Sequence, residues 1–273
     1  AMLAFAANSV LARLALSDGA IDAASYTGIR LLAGAMLLYL LLLWGPRTSG
    51  ARMMGGSWAG AAALLGYAIA FSVAYLMLGA GLGALILFAS VQMSMLGWAV
   101  IKGDRPGAIE WTGIGLAVAS LVYLVSPGLT APHPAGTVLM ALAGASWAVY
   151  SLIGRGSRSP LADTTGNFVR CAPVAASLVG IGLWTTPVAP TGVAYAIASG
   201  AIASGLGYAV WYMALPSLSR VQASTVQLTV PAIAAAGGVL IIGETITLRL
   251  ALASIGILGG VAIALLAAER RKR

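Results

Sequence analysis

The side chains with the most chemical reach in this sequence are aromatic rings and amides set inside long apolar runs. Tyr67, Phe71 and Tyr75 are spaced i, i+4, i+8, which on a helix puts all three rings on one face. Tyr208, Trp211 and Tyr212 repeat the theme, and Trp147 and Tyr150 form an i, i+3 pair. Such faces either pack in a core or stack on a flat solute. A tyrosine hydroxyl in the middle of an apolar run needs a partner, because an unpaired polar group in hydrocarbon costs a few kcal/mol. Gln92, in Ser90-Val91-Gln92-Met93-Ser94, resembles Gln227, in Thr225-Val226-Gln227-Leu228-Thr229. Both amides are expected to point inward, either as glue between helices or as hydrogen-bonding groups for a solute. Pro231 within a helix would free the carbonyl of Gln227, and the pair would then line water or a polar partner. Asn8 and Asn167 are further candidates of this kind. The chemistry on offer is stacking and hydrogen bonding.

Bond-making chemistry lacks its parts. One cysteine, Cys171, and one histidine, His133, cannot build a disulfide, a zinc site or a haem ligand pair. His133 sits in Pro132-His133-Pro134, a loop sequence, where a Ser–His intramembrane protease would need it inside a span. All seven acidic residues, Asp18, Asp22, Asp104, Glu110, Asp163, Glu244 and Glu269, fall in loops or at span ends, which excludes a buried aspartyl pair and the usual intramembrane proton relay. Neither an enzyme nor a resident metal or cofactor is expected. Two cations lie inside apolar runs, Arg30 and Arg170. The plainer reading has them snorkel to the interface or cap neighbouring helices; the functional one has them attract a substrate carboxylate or gate a cavity.

These residues need a scaffold, and composition names its solvent. Apolar residues make up 60% of the 273 and charged ones only 8%, against about 25% charged in soluble domains. The net charge of +8 sits in short clusters between apolar runs, a membrane pattern rather than a nucleic-acid surface. About 20 apolar residues cross a bilayer, and ten stretches qualify, at roughly 1–16, 23–44, 57–78, 83–101, 108–126, 134–154, 160–184, 192–215, 221–242 and 248–268. The first is short, and part of the natural N-terminus is expected to precede it. Trp44, Trp58, Trp111 and Trp184 lie near span ends, where they suit interfacial anchoring. Arg47, Arg52, Lys102, Arg105, Arg155, Arg158 and Arg220 follow even-numbered stretches, and Arg270 to Arg273 end the chain; Arg249 and Arg13 are the exceptions. The even side and both termini are therefore predicted to be cytoplasmic.

Sliding the chain on itself by 140 residues pairs Arg30 with Arg170, Trp44 with Trp184, Gly60 with Gly200, Phe71 with Trp211, Gly97 with Gly237, Gly103 with Gly243 and Asp104 with Glu244. The glutamines match at 135 instead, a local offset between the halves. Each Gly-acid pair is expected to end one helix and start the next. Five helices per half is an odd number, so the second half must enter from the opposite face. Residues 1–126 and 134–273 are read as two inverted five-helix repeats of an all-α membrane protein, the layout of a transporter with a midplane site.

On these residues the chain resembles the drug/metabolite transporter superfamily in its ten-helix branch with EamA-type repeats. The likeness rests on the arginines early in helices two and seven, Val230-Pro231, Ile242-Gly243-Glu244 and Gly256-Ile257-Leu258-Gly259-Gly260. Val91-Gln92-Met93-Ser94-Met95-Leu96-Gly97-Trp98, followed by Lys102-Gly103-Asp104-Arg105-Pro106, looks like the aromatic amino-acid exporters of the YddG type. The first half has no proline matching Pro231. The resemblance implies a monomeric exporter of aromatic amino acids in a bacterial inner membrane, working by alternating access. The expected solute-binding set is Asn8, Tyr67, Phe71, Tyr75, Gln92, Trp98, Trp147, Tyr150, Tyr208, Trp211 and Gln227, with Pro231 as hinge and Arg30 and Arg170 as gating or structural charges. The rivals are a transporter of sugar nucleotides or other anionic metabolites, which would need several interior cations, and a membrane scaffold that transports nothing.

Overall fold

Apolar runs of this length can bury their backbone polar groups in lipid only by winding into helices. In the computed structural model, residues 1–17, 19–44, 54–103, 105–126, 131–155, 157, 159–185, 188–214 and 226–272 are described, and none of them is in a strand. Asp18, Arg47, Arg52, Asp104, Arg158, Arg220 and Arg273, and the expected start of the ninth stretch at 221–225, lie outside them. The helices are α1 (Met2–Leu16), α2 (Ala23–Trp44), α3 (Trp58–Ala74), α4 (Ala80–Ile101), α5 (Ala108–Val125), α6 (Pro134–Gly154), α7 (Pro160–Thr185), α8 (Pro190–Ala214), α9 (Thr229–Ile242) and α10 (Leu248–Lys272). Among the described residues six are long and apolar enough to cross a membrane, namely α2, α4, α6, α7, α8 and α10; α1, α3, α5 and α9 are shorter apolar helices.

Local chemistry sets the ends. The Asp22 carboxylate accepts from the amides of Ala24 and Ser25 at the start of α2, and Ser57 Oγ accepts from Gly60 N at the start of α3. Pro134 and Pro190 open α6 and α8, where a missing N–H costs nothing. Gly103 and Gly243 follow α4 and α9 with φ of 93° and 77°, a left-handed conformation that suits glycine at a helix exit. Glu244 does not start the next helix. Its carboxylate accepts from Ala80 N at 2.9 Å, capping α4, whose own N-cap is a side-chainless Gly79. That borrowed cap explains why α4 begins at residue 80, earlier than the expected 83, while α3 stops at 74, short of the expected 78.

Helix pairing follows small residues. α2 runs antiparallel along α7, with Gly28 against Ala175 and Val179 and Gly34 against Phe168. α5 pairs in the same way with α10, where Gly113 meets the Gly260 carbonyl and Ala264. α4 packs on α9 through Gly81 and Ala235. α6 packs on α3 and α4, as α1 does on α8 and α9. At one end of the bundle Arg13, Tyr75, Ala80 and Glu244 are tied together, Ala189 N donates to the Ala20 carbonyl, and Arg249 donates to the carbonyls of Tyr123 and Ser126. At the other end Gly55, Gly56 and Ser57 are held by α7, and Arg271 pairs with Glu110 at 2.9 Å. The aromatic core sits between these two rims.

A Cβ at residue 113 would lie 2.5 Å from the Gly260 carbonyl oxygen, and no side chain can yield to relieve that. Gly113→Ala is expected to cost about 1–3 kcal/mol by overpacking, read as a lowered melting midpoint of the purified protein in detergent. Gly180→Ala, with no neighbouring atom within 4 Å, should leave the midpoint unchanged or raise it.

Candidate functional site

α3 carries Tyr67 and Phe71 inward on one face, with ring centroids 5.3 Å apart, and Tyr75 continues the stack at 4.6 Å from Phe71. From α6, the Trp147 ring lies 5.1 Å from Tyr67 and 4.6 Å from Tyr208 of α8. Phe5 of α1 touches Trp147, Tyr208 and Trp211 edge-on at 5.8–5.9 Å. Rings from four helices thus close on one point, each pair in the tilted or edge-to-face geometry that aromatic quadrupoles favour. The void they enclose is lined by Phe5, Asn8, Tyr67, Phe71, Leu87, Phe88, Trp147 and Tyr208. It leaves about 10 Å³ for the centre of a water-sized sphere, roughly the room that one water needs.

The wall has a polar backing. Arg30, on α2, is 1% exposed and reaches neither rim. Its Nη2 donates to the hydroxyls of Tyr67 at 3.1 Å and Tyr208 at 3.2 Å, and its Nε to Ser204 Oγ at 3.1 Å. Its guanidinium carbon lies 4.7 Å from the Phe71 ring centroid and 5.2 Å from that of Tyr67. Asn8 Nδ2 donates to the same Tyr67 hydroxyl at 3.1 Å, while Asn8 Oδ1 accepts from Ser199 Oγ, which in turn accepts from the Tyr26 hydroxyl. Residues five apart on an α-helix point about 140° away from each other. Ser199 and Ser204 nonetheless both reach this network, because Ser199–Leu206 winds with i→i+5 bonds inside α8, a local widening that recurs at functional sites. Gly200 lets α8 approach: a Cβ there would sit 2.1 Å from the Arg30 carbonyl oxygen.

The other expected residues separate into groups. Tyr75, Tyr150 and Trp211 are buried in the ring cluster one layer back from the void. Gln92 is buried on α4, one turn past Phe88 and off the lining. Gln227 is buried just before α9, and its Nε2 has no partner among the described residues. Pro231 lies in the first turn of α9, after a break at Leu228, so its ring interrupts no regular helix. Trp98 is not brought to the cluster: it stands three turns past Leu87, about 16 Å along α4, 46% exposed, with Lys102 Nζ 4.9 Å from its ring. The snorkelling expected of both arginines is wrong for Arg30, whose charge turns inward. Arg170 instead holds the Gly55 carbonyl at 2.6 Å beside the Trp58 ring, at the start of α3. Asn167, of the same helix, accepts from Ser57 N at 2.8 Å.

Several members of the site carry weak sequence signals. Tyr26 stands one turn before Arg30, and Ser199 and Ser204 flank glycines inside an apolar run. Phe5, Leu87 and Phe88 look like any core residue.

An all-helical bundle with a polar, ring-lined centre is the architecture of a polytopic membrane transporter. Residues 134–266 match the family model described as the EamA-like transporter family. The chain is 48% identical over 265 residues to the uncharacterized protein PA1977 of Pseudomonas aeruginosa, covering 97% of this chain and 92% of that one. It is 30% identical over 194 residues to the threonine/homoserine exporter RhtA of Escherichia coli K12, covering 63% and 64% of the two chains. A similar match, 30% identity over 66% and 64%, relates it to the uncharacterized transporter YwfM of Bacillus subtilis. A protein of known crystal structure shares the fold, with a TM-score of 0.67 at 22% identity over 98% of each chain. The chain belongs to the EamA-like transporter family. It is a membrane transporter, not an enzyme.

Tyr67→Phe would remove the acceptor shared by Arg30 and Asn8 and leave buried donors unmatched, a loss of about 1–3 kcal/mol. The expected result is a clear fall in melting midpoint, against little change for Tyr39→Phe, whose residue is 43% exposed.

Proposed function

We propose that the protein exports amino acids, aromatic ones first, across a bacterial inner membrane by alternating access through the ring-lined chamber. The observation that carries this reading is the convergence of Phe5, Tyr67, Phe71, Trp147 and Tyr208 from α1, α3, α6 and α8 around Asn8 and the Arg30-bonded hydroxyls. Flat faces on one side and hydrogen-bonding groups on the other match an amphipathic solute with a ring and a polar end. Similarity to the threonine/homoserine exporter RhtA supports amino acids as the class.

Two inverted five-helix halves would supply the motion. Exchanging each helix with the one five places later carries the most extensive helix pairs onto one another: α3 on α6 becomes α8 on α1, α4 on α6 becomes α9 on α1, and α2–α7, α4–α9 and α5–α10 map onto themselves. The smaller α1–α4 and α4–α10 contacts lack an equally extensive counterpart. Gly60 faces Asn167 of α7 as Gly200 faces Arg30 of α2, in keeping with a repeat of 140 residues. Lys102, Arg105, Arg155, Arg270 and Arg271 gather toward the rim that holds both termini, which favours a cytoplasmic position for that rim. In this scheme the Arg13–Glu244 cluster closes the outer mouth, the α7 contacts with Gly55–Ser57 close the inner one, and a single chain suffices as the transport unit.

A second reading is favoured by a specific observation: the RhtA relatives are named for threonine and homoserine, so a small polar amino acid is a competing substrate. The sugar-nucleotide alternative needs several interior cations, and Arg170 is occupied at the rim. Counterflow into proteoliposomes loaded with unlabelled amino acid tests the proposal. Labelled tryptophan is expected to accumulate several-fold over empty vesicles, and accumulation of threonine alone would select the second reading. No exchange of either would overturn amino-acid export.

A further inference from the structure

The chamber is short of acceptors. Arginine keeps its charge at any physiological pH, and Arg30 is buried with no carboxylate beside it among the described residues: its partners are three hydroxyls and two ring faces. Its remaining terminal nitrogen, Nη1, has no hydrogen-bond partner among the described residues. The same holds for the indole nitrogens of Trp147 and Trp211, both buried in the same cluster. Three unspent donor nitrogens, one of them on a cation, thus lie in or just behind the wall of a void whose lining contains no anion. Buried donors are almost always satisfied, and a charge taken out of water calls for a counter-charge. The complementary group is a carboxylate, which accepts only and can take an arginine fork in a bidentate pair.

We infer that Arg30, together with the Trp147 and Trp211 N–H groups, forms the seat for the carboxylate of the transported solute, and that the carboxylate rather than the amine is the group recognised. The inference rests on the amino-acid reading above and narrows it to a chemical handle. Arg30 does not itself line the closed void; the Tyr67 and Tyr208 hydroxyls that accept from it do. A solute entering the chamber displaces those hydroxyls from Nη2 with an oxygen of higher charge, and its second oxygen meets Nη1. The side chain then lies along the ring wall. The solute amine finds no buried carboxylate in this lining, so the ring faces are what remains to it. Solutes that have a carboxylate and no amine are accepted, and solutes that have an amine and no carboxylate are rejected.

The test is ligand-induced thermal stabilisation of the purified full chain by L-tryptophan, 3-indolepropionate and tryptophanamide, for the wild type and Arg30→Gln. Tryptophan and indolepropionate are expected to raise the melting midpoint. Tryptophanamide should bind about ten- to a hundredfold more weakly, the weight of charge-assisted hydrogen bonds lost. In Arg30→Gln that difference should vanish. Equal stabilisation of the wild type by the amide and the acid overturns the seat, as does a preference for the acid that survives in Arg30→Gln, or an absence of stabilisation by every probe. The wild-type comparison decides the matter even if the variant fails to fold. Counterflow on the same preparation keeps the two proposals apart. Carboxylate-dependent binding without exchange removes export and leaves the seat, whereas exchange of amide and acid alike removes the seat and leaves export.

Discussion

One permanent positive charge, buried where no carboxylate of the described residues meets it, sets the terms for the middle of this molecule. A guanidinium cannot shed its proton to escape an apolar environment, so the surroundings of Arg30 must supply dipoles and ring faces in place of a counter-ion. Tyr67, Tyr208 and Ser204 provide oxygens, and Phe71 and Tyr67 provide π faces. Each demand propagates outward. Ser204 reaches Arg30 while Ser199 reaches Asn8 and Tyr26 because α8 widens its winding between them. That approach needs Gly200 against the backbone of α2. Tyr67 can serve both Arg30 and Asn8 only if α1, α2 and α3 meet at one depth.

The two rims are fastened by different means. On one side a carboxylate borrowed from the α9–α10 connection satisfies the start of α4 and pairs with Arg13 at 3.4 Å, so α1, α4 and α9 are fastened by a single group. On the other, α7 presents Asp163, Asn167 and Arg170 at successive turns to the backbone of residues 55–57. Both fastenings are hydrogen bonds and ion pairs between helix ends, exchangeable with water at modest cost. The lateral contacts of α2 with α7 and of α5 with α10 are close-packed through glycine and resist rearrangement. The close packing therefore lies along the helix pairs, and the polar fastenings lie at the helix ends.

Family membership and the chamber speak to different levels of function. The EamA-like family match and the similarity to RhtA point to a transporter. The structure adds a handful of side chains around a void of single-water size. Its walls are unusually rich in rings, and its backing carries one cation.

Much of this architecture was legible from the order of residues alone. Hydropathy and spacing located the apolar helices to within a few residues, since lipid leaves a backbone no other option, and the i, i+4, i+8 rule put Tyr67, Phe71 and Tyr75 on one face. The helix ends at Gly103 and Gly243 were readable as turns, and their left-handed backbone, which glycine takes without strain, came only from the structure. Facts of depth and partnership were not readable. Arg30 and Arg170 look equivalent in sequence, yet one lies beside hydroxyls from other helices and the other beside the Gly55 carbonyl, and only tertiary packing brings those groups near. Glu244 caps a helix 164 positions away rather than its own neighbour. Trp98 carries the right ring at the wrong height. Periodicity reports which way a side chain faces along its own helix; what it meets there depends on how far the neighbouring helices slide and how closely glycine lets them come, and that is decided only in the folded bundle.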